Sequence, residues 1–382
     1  MSAYVRRRSA PLVGLAALLV ALLGAVLTPS AQASPSTSGW LAAQVAGDGS
    51  VLDPYSSSPS VDWTVNTALA LVTAGDQSEA LGRAMTHIRT EAASYVTSGT
   101  SDVAGHLSWL ILLAVAVGDD PRAFGPGALD LVAQLEDRLG VVEPGLFGTI
   151  DEYTPVTNQS LAILALVATG QTPPTEAVDW LLAQQCTAPV EQAGAWQGYR
   201  AASGPGTLED CLPTTSTEFS RPDSASTAFA VLALTAVAAT TEPPAERYAA
   251  PLVAAFRWFG ALQSADTTAP GGFGQFLGDP ADPNSTALVI TAIAASGVDP
   301  GTDGPFAAGG ADPVSSLRSW VIVSGADAGA VASPYSSGGA DLYATYQAMW
   351  GLAPSRTPLI GPRVMSVVAP PVDGPVGPVY TG

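Results

Sequence analysis

The fold class predicted by the sequence is all-α, a closed α6/α6 toroid in which six helical hairpins form two concentric rings. Three observations carry it. A two-part unit recurs six times along the chain, at intervals of about 40 to 65 residues. The first half of each unit has one polar face, whereas the second half is apolar nearly all round and must be covered on most sides. Neither terminal unit shows the atypical capping sequence that an open stack of helical pairs, the competing arrangement, requires.

The chain has 382 residues, 47% apolar and only 12% charged, so it can bury a large core. Its first thirty-three residues read as a secretory signal: Arg6, Arg7 and Arg8, an apolar run over 12–27, and the small-x-small site Ala31-Gln32-Ala33. The run is shorter than the roughly twenty residues that span a bilayer and breaks at Pro29, which disfavours a retained anchor. Adjacent arginines do not decide between the general and twin-arginine export routes. The net charge is −19, and removal of the three leader arginines takes the mature chain to −22. Every basic residue is arginine. This charge argues against nucleic acid and anionic membrane surfaces as partners.

The units follow in order from residue 34 to residue 353. The first pairs Trp40–Gln44 with Thr67–Leu71 across the turn Gly47-Asp48-Gly49. The second runs from about Leu81 to an apolar half beginning at His106-Leu107. The third pairs 131–135 with 158–166, the fourth 180–184 with 226–232, the fifth 258–263 with 284–288, and the sixth 317–321 with 344–348. First halves keep polar residues on one side, as Glu176, Asp179, Gln184 and Gln185 do around Leu181 and Leu182. The Ala-rich second halves suit an inner ring, where small side chains let helices approach closely. Beyond Ala353, seven prolines among Gly and Val predict an extended tail over 354–382.

Cys186 and Cys211 are the two cysteines, and an exported chain meets an oxidising environment. They are expected to form one disulfide, contributing about 3 kcal/mol by closing the intervening loop. The two histidines, His87 and His106, lie far from them in sequence, so no zinc site is expected. No calcium-binding EF-hand loop occurs either.

A polar or aromatic cluster stands at or before each inner helix. The candidate ligand-binding residues are Asp62, Trp63 and Asn66; Asp102 and His106, accompanied by Trp109; Tyr153, Asn158 and Gln159, accompanied by Glu152; Asp223, accompanied by Glu218 and Ser224; Asp282 and Asn284, accompanied by Ser285; and Tyr343 and Tyr346, accompanied by Asp341. In a closed ring all six starts lie on one side, so these groups converge on one mouth, a concave place for a small molecule. For each residue taken alone the competing reading is a helix cap, contributing about 1 kcal/mol. Caps do not need aromatic rings, and the rings favour binding. Two glycosylation sequons, at Asn158 and Asn284, fall at buried helix starts and read as accidental.

Gln184 precedes Gly194-Ala195-Trp196, Gln263 precedes Gly271-Gly272-Phe273-Gly274, and Gln44 precedes Asp48-Gly49-Ser50. This resembles the Gln…Gly-x-Trp/Phe repeat of terpenoid cyclases and protein prenyltransferases, and the resemblance implies their α6/α6 toroid over residues 38–353. The catalytic marks of those enzymes are missing. No Asp-x-Asp-Asp string occurs, Asp119-Asp120 continues into Pro121-Arg122, and the arginines are too scattered to hold a diphosphate. Ser60-Val61-Asp62 with Thr67-Ala68-Leu69-Ala70-Leu71, and the run from Asn158 to Leu166, are similar to inner-helix openings of the cobalamin carriers transcobalamin and intrinsic factor. That resemblance implies a cobalamin-like ligand at the rim. The carriers' second domain has no counterpart here, so a partner chain, such as a cell-surface uptake protein, has to supply the lid. The resulting expectation is an exported binding protein without cofactor or catalytic machinery. The alternatives are a terpenoid-handling enzyme with degenerate motifs, a structural envelope protein, and a glycosidase using two of Asp62, Asp102, Asp223 and Asp282.

Overall fold

A computed structural model describes residues 36–97, 103–150, 155–204, 206–240, 246–263, 269–301, 304–307 and 311–360. The predicted leader, the tail beyond residue 360, Asp102 and Tyr153 lie outside the described residues.

Twelve α-helices run through them. Six are short or amphipathic: α1 (Thr37–Gln44), α3 (Ser78–Thr97), α5 (Leu131–Glu136), α7 (Thr175–Ala183), α9 (Glu246–Leu262) and α11 (Pro313–Ser319). The other six are buried over most of their length: α2 (Val61–Ala74), α4 (Val103–Val117), α6 (Pro155–Ala168), α8 (Ser224–Thr240), α10 (Pro283–Ala295) and α12 (Leu342–Leu352). Each predicted segment overlaps one of them, although 317–321 runs two residues past the end of α11 and 180–184 and 258–263 each run one residue past theirs. The contrast between the two sets is compositional, since α8 is apolar and alanine-rich on every side while α3 alternates buried Ala84, Ile88 and Ala92 with exposed polar residues.

The buried helices pack in sequence order, α2 on α4, α4 on α6, α6 on α8, α8 on α10 and α10 on α12. Helix α12 then packs back on α2, which completes a circuit. Outside it, α1 leans on α12 and α2, α3 on α2 and α4, and α11 on α10 and α12, while α5, α7 and α9 lie on α4, α6 and α8. Small residues permit the close approaches. At Gly351 an added Cβ would lie 2.9 Å from the Ala287 Cα of α10.

One device recurs where an outer helix turns toward its inner partner. A Gly-x-apolar triplet places the backbone N–H of its third residue against a polar side chain of the next inner helix. The pairs are Val51 to Thr64 Oγ1 (2.9 Å), Phe147 to Gln159 Oε1 (2.8 Å), Trp196 to Thr227 Oγ1 (3.0 Å), Phe273 to Thr286 Oγ1 (2.9 Å) and Val331 to Thr345 Oγ1 (2.9 Å). Every one of these acceptor side chains is fully buried, so each bond satisfies a donor that water cannot reach. The glycine ahead of it touches the following outer helix. Gly194, at φ 100°, would drive a Cβ to 2.2 Å from the Ala254 carbonyl oxygen of α9, so only glycine fits. Gly329, also at φ 100°, makes the corresponding contact with Ser36, the N-cap of α1, and so joins the last outer turn to the first outer helix.

The glutamine of the repeat is also at work, with one change of register. Gln185, not Gln184, matches Gln263. Gln185 Nε2 donates to the carbonyls of Gly194 (3.0 Å) and Pro251 (2.9 Å), as Gln263 Nε2 does to Gly271 (2.9 Å) and Phe306 (2.7 Å). Gln184 instead pairs with the Arg200 backbone, and Gln44 bonds back to Trp40 in its own helix.

Cys186 and Cys211 form a disulfide, with Cα atoms 5.7 Å apart. Inside the loop that it closes, the buried Arg200 guanidinium donates to the carbonyls of Ala183, Gln185 and Glu209, and burial lowers its pKa. The start of the Pro-rich segment packs rather than trailing away: residues 354–356 form a 3-10 turn, Leu359 is buried, and Arg356 reaches the Ala74 carbonyl at the end of α2. Among the described residues no helix is long and apolar enough to cross a membrane.

Candidate functional site

The starts of the inner helices meet at one end of the circuit. On α2 and α12, the rings of Trp63, Tyr343 and Tyr346 stand nearly at right angles to one another. Centroid separations are 6.2 Å for Trp63–Tyr343, 6.0 Å for Trp63–Tyr346 and 5.2 Å for Tyr343–Tyr346. The exposed Tyr55, in the turn ahead of α2, extends this group through a 6.2 Å contact with Trp63. Edge-to-face arrangements of this kind suit the quadrupoles of the rings.

Below them lies a floor. Trp350, one helical turn on from Tyr346, sits 5.5 Å from Tyr346 and stacks on Trp109 at 5.8 Å, and Trp109 in turn meets Phe229 edge-on at 6.0 Å. These three residues belong to α4, α8 and α12, alternate members of the circuit. Side chains on alternate helices can touch only by crossing the lumen, so aromatic rings fill the axis at this level.

Polar groups surround the aromatic wall. Asp62 Oδ1 accepts the Tyr95 hydroxyl at 2.8 Å, the Tyr95 ring stacks on His106 at 4.0 Å, and His106 Nδ1 lies 3.0 Å from the Tyr95 carbonyl oxygen. Asn66 is buried and donates to the Asp62 carbonyl. Asn158 folds over Gly105, where a Cβ would come within 2.5 Å of its Oδ1, so α4 and α6 meet at the mouth through an amide against a glycine. Asn284 Nδ2 donates to Gln347 Oε1 at 3.0 Å, linking α10 to α12. Gln159 belongs to the scaffold instead, since its buried amide is bonded to the backbone of Gly145, Phe147 and Ala177.

The carboxylates divide into two kinds. Asp223, Asp282 and Asp341 are N-caps: their side chains accept from the backbone N–H groups of Ser226, Ser285 and Ala344 at 2.8–2.9 Å. Asp223 also accepts the Ser226 hydroxyl, and Asp341 the Ser336 hydroxyl. Asp62 is not a cap; Ser60 holds that position on α2. Burial pushes the Asp223 and Asp282 carboxyls up to about 6, against the opposing pull of their capping bonds. Desolvation in the aromatic wall likewise raises the Tyr343 hydroxyl to about 12, and Asp62, Asp282 and Asp223 add to that rise. Carboxylates from three different inner-helix starts thus act on one tyrosine. Tyr346 is raised well above the usual tyrosine range, first by burial and then by Tyr343, Asp62, Asp341 and Tyr95.

Residue reasoning misses Tyr95, Phe229, Gln347 and Trp350 as parts of this site. Trp350 was within reach of the sequence, because Tyr343, Tyr346 and Trp350 fall at i, i+3 and i+7 of one helix face. Tyr95 carries no such signal, being at the far end of an outer helix.

The class that these features define is a helical α/α-toroid protein with an acidic, aromatic mouth. No protein-family model and no curated protein matches the chain. Among solved structures, an α-1,6-mannanase of the GH76A type from Salegentibacter sp. HEL1_6 matches with a TM-score of 0.52 at 10% identity, covering 85% of this chain and 98% of its own. A protein from Actinoplanes matches with a TM-score of 0.46 at 17% identity, covering 84% of this chain and 97% of its own. The mannanase likeness is one of fold.

Proposed function

We propose that this is an exported, non-catalytic binding protein that holds a small molecule at the mouth of its inner helices. The observation that carries the reading is the aromatic floor and wall, ringed by groups from all six inner helices. Aimed polar groups over an apolar base are the usual make-up of a small-molecule site. The disulfide and the leader-like sequence support export. Catalysis by a carboxylate pair is disfavoured because Asp223, Asp282 and Asp341 accept bonds that begin their own helices, which leaves Asp62, among the described residues of the group, as the carboxylate not engaged in capping.

Native mass spectrometry of protein purified from its own host tests this, followed by titration with corrinoids, saccharides and small organic ions. A retained or titrated compound whose binding disappears in Trp63→Leu is the expected result. Binding unaffected by Trp63→Leu and Tyr346→Leu overturns the mouth as the site. A cobalamin-like ligand, with a cell-surface partner closing over it, is the member of the panel that the inner-helix resemblance favours. A second reading, glycan cleavage, is favoured by the likeness in fold to a mannanase. Release of reducing sugar from mannan, abolished by Asp62→Asn, would replace the binding reading with it. Turnover of squalene or a prenyl diphosphate would do the same for the terpenoid alternative.

A further inference from the structure

Two neighbouring hairpins end on the same four residues. Pro54-Tyr55-Ser56-Ser57 and Pro334-Tyr335-Ser336-Ser337 are the two occurrences of Pro-Tyr-Ser-Ser in the chain. Each tetrapeptide lies at the tip of an antiparallel pair, Val51–Leu52 with Pro59–Ser60 and Val331–Ala332 with Ala340–Asp341, and the second strand of each pair runs straight into an inner helix, α2 or α12. The tips are built alike. A side chain two residues earlier accepts the tyrosine N–H, Asp53 Oδ1 at 2.7 Å and Ser333 Oγ at 3.2 Å. The second serine is left-handed in both, at φ 56° for Ser57 and 54° for Ser337, where glycine would be at ease and serine is strained. Outside the tetrapeptide the two loops differ. Leu52-Asp53 stands against Ala332-Ser333, and the neck closes from the Asp53 N–H to the Ser58 carbonyl in one but from the Ser333 N–H to the Gly339 carbonyl in the other.

Folding has no use for the two rings. Tyr55 is 85% exposed and Tyr335 66%, and the turn bonds are made by the tyrosine backbone, so other side chains would serve them equally. A single exposed ring needs no explanation, whereas two at equivalent points of adjacent units form a pattern. Because α12 packs on α2, the bases of the hairpins are set about 8–10 Å apart, the spacing of packed helices. Tyr343, in the first turn of α12 and 44% exposed, is joined to Tyr55 through Trp63. The surroundings fix the chemistry of an occupant. Ser56, Ser57 and Ser337 are exposed at the tips, exposed Asp62 follows the first hairpin, and the chain has no lysine and a net charge of −19. Such carboxylate and hydroxyl oxygens accept hydrogen bonds, and the charge repels anions. An open tyrosine ring adds a flat apolar face with a polar tip. The matching ligand is neutral, rich in hydroxyl donors and apolar on one face, which describes a pyranose: its axial C–H groups form the apolar face and its hydroxyls lie round the edge. Two like platforms side by side call for a ligand whose own units repeat.

We propose that the rim binds a neutral oligosaccharide, with two of its sugar rings stacked on Tyr55 and Tyr335. The proposal rests on the binding reading above and names its ligand class. The test is a calorimetric titration of the mature protein with neutral hexose oligomers of increasing length, from the monosaccharide upward, in maltose-, isomaltose- and cellulose-type linkage. One linkage series is expected to bind, with affinity rising at least about tenfold once the oligomer spans both tyrosines and levelling off beyond that length. Tyr55→Ser and Tyr335→Ser, at exposed positions outside the core, should each return the long oligomer to the affinity of the short one. Oligomers that bind no better than the monosaccharide, or that are unaffected by both substitutions, overturn the proposal, as does the failure of every series to bind protein whose circular dichroism shows it folded. A host protein captured by the parent and lost in both tyrosine variants, with no sugar bound, assigns the tips to a protein partner and equally overturns it. If a corrinoid binds and is lost in Trp63→Leu while no oligosaccharide does, the saccharide is wrong and the mouth stands. If nothing in either panel binds, both readings fall.

Discussion

Two threonines on helices of the same kind should respond in opposite ways to the same substitution. Thr227 and Thr67 are both fully buried on inner helices. Thr227 Oγ1 accepts the Trp196 N–H at 3.0 Å and donates to the Asp223 carbonyl at 2.8 Å. Thr67 Oγ1 has no hydrogen-bond partner among the described residues. Valine keeps the shape of threonine and removes the hydroxyl. In Thr227→Val the Trp196 N–H loses its acceptor in a site closed to water, at a cost of about 1–3 kcal/mol. In Thr67→Val a buried, unpaired hydroxyl is replaced by a methyl group, which stabilises by about 1 kcal/mol or more. Urea unfolding at neutral pH with the disulfide intact measures both, and equal slopes would show that only stability has changed. The expected midpoints lie below the parent for Thr227→Val and above it for Thr67→Val. Losses of similar size in both variants would refute the assignment of the Gly-x-apolar turn bond as the specific fastening of each hairpin.

Acidity provides a second check. The Asp223 and Asp282 carboxyls are raised to about 6 from an ordinary 3.8, so the folded state holds protons that the unfolded chain releases between those values. Their contribution to stability is therefore full below about pH 4 and is lost as pH rises through about 6. Relative to Asp223→Asn/Asp282→Asn, the parent should gain stability on acidification from pH 7 to pH 4, by at most about 3 kcal/mol per carboxyl; an unchanged difference in unfolding free energy would contradict the burial of these groups. Cys186→Ser/Cys211→Ser should lower stability by about 3 kcal/mol through the freed loop, with the loss first visible as faster proteolysis between α7 and α8.

The twelve helices are legible in the sequence because each bears a local signature: an apolar stripe for the outer set, an apolar cylinder for the inner set, and a glycine turn between. Register is less legible. The Thr-Ala-Leu motif at Thr67 looks equivalent to Thr227-Ala228-Phe229 and Thr286-Ala287-Leu288, yet the bond to the turn is made by Thr64. Thr64 lies four residues past its cap Ser60, just as Thr227 follows Asp223 and Thr286 follows Asp282. Pattern matching aligns residue types, whereas the structure aligns distances from the cap. Adjacent glutamines hide the same problem at Gln184 and Gln185: the first is the C-cap of α7 and the second already pairs as a bridge with Trp196, so they reach different partners.

The roles of the mouth residues divide along similar lines. Sequence alone determines that polar and aromatic residues stand at the inner-helix starts, since that is a matter of position along the chain. It also determines the hairpin order, the number of units and the capacity for one disulfide. Only the tertiary structure decides which of those residues cap, which brace the scaffold and which face one another. Asp62 meets Tyr95 across 33 residues, and Trp109 reaches Trp350 and Phe229 across the lumen. Such contacts depend on how far the circuit of helices turns and how nearly opposite faces approach, which the short-range periodicity of a helix does not encode.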